Sequence, residues 1–137
     1  RLGWEVQSSG NKHVHAILRG STNKHGQHLQ NYHYEDLVRL CDLYADRQID
    51  NPRLIVDTNH CNSNKNALEQ PRIVKEVLHS AKHDERIAKI LKGFMIESYI
   101  EDGCQKVDGG VYGKSITDPC LGWEKTERLL LDLADML

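Results

Sequence analysis

The stretch Asp57-Thr58-Asn59-His60-Cys61-Asn62-Ser63-Asn64-Lys65 follows directly on the apolar run Arg53-Leu54-Ile55-Val56. A carboxylate, an amide, an imidazole and a thiol, all metal-capable or polar groups, crowd the end of what reads as a buried strand. His60 could bind a metal through a neutral ring nitrogen. Its plainer role is a capping or hydrogen-bonding group in a loop after a strand. Arg19 closes the run His13-Val14-His15-Ala16-Ile17-Leu18. A guanidinium there suits the forked gripping of phosphate or carboxylate, or else a strand-end ion pair with a helix carboxylate. Glu97 interrupts the apolar run Phe94-Met95-Ile96-Glu97-Ser98-Tyr99-Ile100. A carboxylate inside such a run needs a cation or strong donors, so a metal or a structural salt bridge is expected. Asp118 precedes Pro119, and by local chemistry alone it reads as a helix N-cap with proline at the first helical position. Cys61 and Cys104 read as small semi-buried thiols. Asn62 to Lys65 read as turn and cap residues. Lys65 and Lys114 read as loop lysines that are either solvated or in contact with phosphate.

These groups need elements to carry them. Residues 13–20, 53–60 and 92–100 are short, mostly apolar and bounded by polar or glycine residues, the pattern of strands buried on both faces. Helical spacing fills the gaps between them. In residues 34–47 it places Leu37, Leu40, Cys41 and Tyr44 on one stripe. In residues 67–81 it places Ile73, Val74, Val77 and Leu78 together, with Pro71 marking a first turn or a break. Residues 84–91 form a further short helix. In residues 122–137 Trp123, Leu130, Leu133 and Leu137 share a face. Residues 20–33 and 101–114 read as polar loops. The order β-α-β-α-β-α predicts an α/β fold of parallel strands joined by right-handed crossovers. Ligands of such folds sit at the carboxyl ends of the strands, where Arg19, His60 and Glu97 lie.

The 137 residues suffice for one core, and 39% apolar with 28% charged residues is a globular composition. A net charge of -2 without a basic stripe argues against a nucleic-acid partner. No apolar run is long enough for a membrane span, and no leader is visible. Four cysteines without a CxxC pair predict reduced thiols in a cytoplasmic protein. Of the eight histidines, those in polar stretches, such as His25, His28, His79 and His83, are expected at the surface. A start at Arg1, running through a glycine- and serine-containing stretch, reads like a piece of something longer.

Four segments in this order, residues 10–20, 57–65, 93–103 and 112–127, resemble the carboxyl-terminal part of class I 3-deoxy-D-arabino-heptulosonate 7-phosphate (DAHP) synthase. The resemblance runs across almost the whole chain. Tyr112-Gly113-Lys114-Ser115-Ile116-Thr117-Asp118-Pro119-Cys120-Leu121-Gly122-Trp123 is its most specific motif. It implies a (β/α)8 barrel of which residues 1–137, a single partial domain, supply about the last three βα units. It implies condensation of phosphoenolpyruvate with erythrose 4-phosphate, the first step of the shikimate pathway, assisted by a divalent metal (Mn, Fe, Zn or Co). Residue by residue, Arg19 matches an arginine that holds the phosphoenolpyruvate phosphate. His60, Glu97 and Asp118 match three metal ligands. The family's fourth ligand, a cysteine near the first strand, and several substrate-binding arginines and lysines belong to segments not found in this sequence. Cysteine at 61 and 104 and serine at 21 depart from the family's usual residues. Cys61 or Cys104 is therefore a candidate to replace the missing thiolate.

Two expectations follow for the chain by itself. As part of the synthase it is inactive alone. As a stand-alone homologue it would be a non-catalytic binding or structural module, and its unpaired sheet edges would favour a homo-oligomer. A small metal-dependent hydrolase using His60, Glu97 and Asp118 is the reading the residues alone would allow.

Overall fold

The computed structural model describes residues 3–136. Strand β1 (Ala16–Leu18) is followed by a small antiparallel hairpin, β2 (Ser21–Thr22) and β3 (His28–Leu29), then helix α1 (Tyr34–Asp46). Strand β4 (Leu54–Asp57) leads through a single 3-10 turn at Ala67–Glu69 to α2 (Gln70–His83) and α3 (Glu85–Ile90). Helix α3 runs without a loop into β5 (Leu91–Met95), and α4 (Trp123–Met136) ends the fold. The main sheet has the order β1-β4-β5 with both pairs parallel, as the alternation of elements predicts.

Each helix starts and packs for local reasons. The backbone N–H of His33 donates to the Asp36 carboxylate at 3.3 Å, closing the first turn of α1. Pro71 sits in the first turn of α2, where its missing N–H costs nothing. The Asp84 carboxylate accepts from the backbone N–H of Arg86 at 2.9 Å and caps α3. The Arg86 guanidinium beside it holds the Asp84 carboxyl down at about 2. Leu37 and Cys41 of α1, Ile73 and Val77 of α2, and Ile87 and Ile90 of α3 close over Leu54 and Val56 of β4 as one core. The stripes expected on α1 and α2 are the buried ones.

Four expectations change. Burial on both faces holds only for β4. The outer strands β1 and β5 leave Ile17 44% and Met95 42% exposed, because each has a single neighbour. The third strand stops at Met95, so Glu97 lies just beyond it. The backbone of Glu97 bonds instead to the Gln70 side chain and to Leu121. The loop 20–33 contains the β2–β3 hairpin. On α4 the buried residues are Thr126 and Leu129, and Leu129 packs with Leu121 against Val74 and Leu78 of α2. Trp123 and Leu130 face outward, Leu133 is partly buried, and Leu137 lies outside the described residues. Among the described residues no helix is long and apolar enough to cross a membrane.

Gly20 ties the Arg19 end of β1 to the turn after β4. Its φ of +71° is in the left-handed region. A Cβ there would sit 2.6 Å from the Leu29 carbonyl oxygen and 2.8 Å from the Cys61 Cβ. Both backbone strain and overlap oppose any side chain. Gly20→Ala is expected to cost about 1–3 kcal/mol of unfolding free energy, read as a lower urea midpoint at unchanged slope.

Candidate metal centre

The turn after β4 is polar, but most of it is not solvated. Asp57, Thr58, Asn59, Asn62 and Ser63 are all buried. Burial of so many polar groups requires that each be paired. The Asn62 side-chain amide donates to the carbonyls of Leu18 at 3.0 Å and Asp57 at 2.8 Å, and its oxygen accepts from the backbone N–H of Asn31 at 3.0 Å. That one side chain fastens β1, β4 and the approach to α1 together. Backbone N–H groups of Ser63 and Lys65 donate to the carbonyls of Asn59 and His60. The tight turn holds His60, Asn64 and Lys65 at φ of 44°, 53° and 59°. Such left-handed residues persist only where the surroundings over-determine them.

Asp57 is 1% exposed and accepts at both oxygens. Oδ1 takes the backbone N–H of Asn59 at 2.9 Å, and Oδ2 takes Nδ1 of His60 at 2.7 Å. The Nε of Arg19 stands 3.7 Å from the same Oδ2. With Nδ1 committed to Asp57, Nε2 of His60 is aimed at the rim. It lies 3.0 Å from Oε1 of Glu97 and 3.5 Å from Oδ2 of Asp118. One ligand atom from each of His60, Glu97 and Asp118 lies within 4.8 Å of the others. A lone pair on Nε2 facing carboxylate oxygens at these distances needs a positive centre between them, either a proton or a cation. An imidazole and two carboxylates held this way, with the second ring nitrogen on a buried carboxylate, suit a borderline divalent ion.

Charge around the cluster is partly balanced. Lys65 Nζ is 3.3 Å from Oδ1 of Asp118, and both groups are substantially exposed. Arg19 is 54% exposed and at 3.7 Å from Asp57 makes an ion pair rather than a hydrogen bond. Lys114 packs its stem over Gly103 and forms no ion pair with the cluster among the described residues.

The N-cap reading of Asp118 fails, because α4 begins only at Trp123. The backbone N–H of Gly122, just ahead of α4, is taken instead by Asp102 Oδ1 at 2.7 Å. The Lys125 ammonium, together with that N–H, holds the Asp102 carboxyl below the usual carboxylate range. The proposed replacement thiolates fail as well. Cys61 is buried and faces Thr22, with Sγ 3.5 Å from Oγ1, and Cys104 is exposed. Neither belongs to the cluster. Cys120 donates to the Asp118 carbonyl, and burial pushes its thiol up. Asn62 and Ser63 are network residues, while Asn66 is the cap, accepting from the Leu68 N–H.

Asp57, Asn59 and Gln70 escaped the reading of single residues. Gln70 is fully buried. Its amide donates to the Glu97 carbonyl at 2.9 Å, and its oxygen accepts from the Glu97 N–H at 2.9 Å and the Thr58 hydroxyl at 3.0 Å. It pairs with Glu97 as a neighbouring strand would. Its signal was available, since Gln70 falls on the same helical stripe as Ile73, Val74 and Val77.

A run of parallel βα units with its polar constellation at the carboxyl ends of the strands is a segment of an α/β barrel. Residues 4–131 match the DAHP synthetase I family, and the chain belongs to it. The Trp-sensitive phospho-2-dehydro-3-deoxyheptonate aldolase of Escherichia coli O6:H1 is 38% identical over 132 residues, which cover 93% of this chain and 35% of that protein. The phospho-2-dehydro-3-deoxyheptonate aldolase of Haemophilus influenzae is 38% identical over 134 residues, 95% of this chain and 34% of that protein. The solved structure of the aldolase of that name from Francisella tularensis superposes with a TM-score of 0.78 at 28% identity, covering 94% of this chain and 36% of that one. The chain thus spans about a third of the length of the relatives it matches.

The Asp57–His60 bond has a direct spectroscopic consequence. At alkaline pH neutral His60 should carry its proton on Nδ1, seen in the imidazole ¹⁵N shifts, and Asp57→Asn should remove that preference. An Nε2–H tautomer in the unaltered chain would contradict the assignment.

Proposed function

We propose that this chain carries the cation-holding rim and one phosphate-gripping arginine of a phospho-2-dehydro-3-deoxyheptonate aldolase. The whole protein would join phosphoenolpyruvate to erythrose 4-phosphate. The observation that carries the reading is the convergence of His60 Nε2, Glu97 and Asp118 within 4.8 Å, beside Arg19, in a chain of the DAHP synthetase I family.

His60, Glu97 and Asp118 would hold the divalent ion (Mn, Fe, Zn or Co). When bound, that ion would supply Lewis-acid polarisation of the sugar aldehyde oxygen. Asp57 keeps the His60 ring turned so that Nε2 remains a free ligand atom. Arg19, loosely tied and half exposed, can turn its fork to the phosphate of phosphoenolpyruvate. Lys65 would offset the charge of Asp118. The overall change forms a bond between the methylene carbon of phosphoenolpyruvate and the aldehyde carbon. A water oxygen adds to the neighbouring carbon, and inorganic phosphate departs. Positioning and charge neutralisation are the contributions expected from these residues. The four unpaired thiols fit a reducing compartment such as the cytoplasm.

Two outcomes test the proposal. Titration of this chain with Mn²⁺ should show one saturable site, and His60→Ala should weaken it by at least about tenfold. Equal binding by chain and variant would remove His60 from the site. In a phosphate-release assay with both sugar and enol substrates, this chain alone should stay at background, because the other strands of the barrel hold further substrate-binding groups. Turnover at rates typical of enzymes would show that the residues named here suffice.

A further inference from the structure

The Glu97 carboxylate has two oxygens with different partners. Oε1 faces His60 Nε2 at 3.0 Å, on the side where the cation would lie. Oε2 is taken by the side-chain amide of Asn59 at 2.9 Å. The same amide nitrogen donates its second proton to the Pro119 carbonyl at 3.0 Å, in the loop that carries Asp118. Asn59 is 1% exposed, so its amide has little water to turn to if these bonds are lost.

The orientation of this amide is itself determined. Its oxygen accepts from the Ser63 hydroxyl at 3.0 Å. A flipped amide would set its oxygen against a carboxylate and a carbonyl at once and present two donors to Ser63. The acceptor-only Glu97 carboxylate and Pro119 carbonyl therefore select the orientation that points both protons at them, and the Ser63 hydroxyl supports it by donating to the amide oxygen.

We infer that Asn59 is a positioning residue which makes Glu97 a one-oxygen ligand and locks the Asp118 loop to it. This rests on the metal-site reading above. His60 faces Oε1, and it is the Asn59 amide that holds Oε2. With Oε2 held back, the carboxylate presents Oε1 alone. Without Asn59, the carboxylate is free to rotate and bring both oxygens to the cation, and Pro119 loses its tie to β4. The residue acts on how many oxygens the site offers, and so on which ions it prefers.

The test uses the 137-residue chain with Asn59→Ala, the near-isosteric Asn59→Leu and Ser63→Ala, with folding checked by circular dichroism. Affinity is measured for Mn²⁺, and the visible absorption spectrum is recorded at saturating Co²⁺. Both Asn59 variants should bind Mn²⁺ about 10–100-fold more weakly, and Ser63→Ala should shift affinity in the same direction by less. The saturated Co²⁺ spectrum should change in position or intensity, because the ligand field changes. A residue that merely stabilises the fold would lower the unfolding midpoint and leave that spectrum alone. If the Asn59 variants do not fold, the Ser63→Ala spectrum decides, and one superimposable on that of the unaltered chain overturns the proposal. Folded Asn59 variants with unchanged affinity and spectrum overturn it too, provided Glu97→Gln loses binding. If Glu97→Gln and His60→Ala also bind as the unaltered chain does, the metal-site reading fails and takes the role of Asn59 with it.

Discussion

A carboxylate almost wholly removed from water, Asp57, is the constraint on which the rim depends. Burying an ionised group costs several kcal/mol unless donors surround it. Here the donors are the Asn59 backbone and the His60 ring, with Arg19 nearby. Satisfying Asp57 forces the chain to curl back immediately after β4, and the curl places His60 in left-handed conformation with Nε2 outward. The same curl buries Asn59, Asn62 and Ser63, each of which then needs its own partners. Those partners are the backbones of β1, of the Asp118 loop and of the turn itself. One buried charge thus organises three segments.

The surrounding elements hold these partners still. Parallel pairing of β4 with β1 and β5 brings the Arg19, His60 and Glu97 ends to one side of the sheet. Gln70, at the start of α2, extends β5 by bonding to the Glu97 backbone with a side chain. The rigid parts of the site are therefore the ones built from buried amides. Arg19 and Lys65, by contrast, are exposed, and ion pairs of that kind contribute little to stability.

Much of the fold was legible in the residues. The apolar runs around Ile17, Val56 and Phe94 became the three parallel strands. The stripes Leu37–Cys41 and Ile73–Leu78 became the buried faces of α1 and α2. Helix α4 is ambiguous in the sequence because it is apolar on more than one side. Trp123, Leu130 and Leu131 offer one stripe, while Leu129, Leu133 and Met136 offer another, and only the position of Val74 and Leu78 on α2 decides between them. Asp118 was ambiguous for a similar reason. Asp before Pro is cap-like in isolation, yet the start of α4 is fixed four residues later by a bond between Gly122 and Asp102, a residue twenty positions away.

By itself the sequence determined the order of elements, the apolar faces of most of them, and the kinds of groups at the strand ends. These follow from periodicity and composition, which act over a few residues at a time. The family motif added which of those groups belong together. Tertiary structure alone decided that Asp57 turns His60, that Asn59 holds one oxygen of Glu97 and a carbonyl of the Asp118 loop, and that Cys61 faces away. Those are bonds between residues as many as sixty positions apart. Hydrogen-bond direction inside a dry cluster depends on every neighbour at once, and no local pattern encodes it.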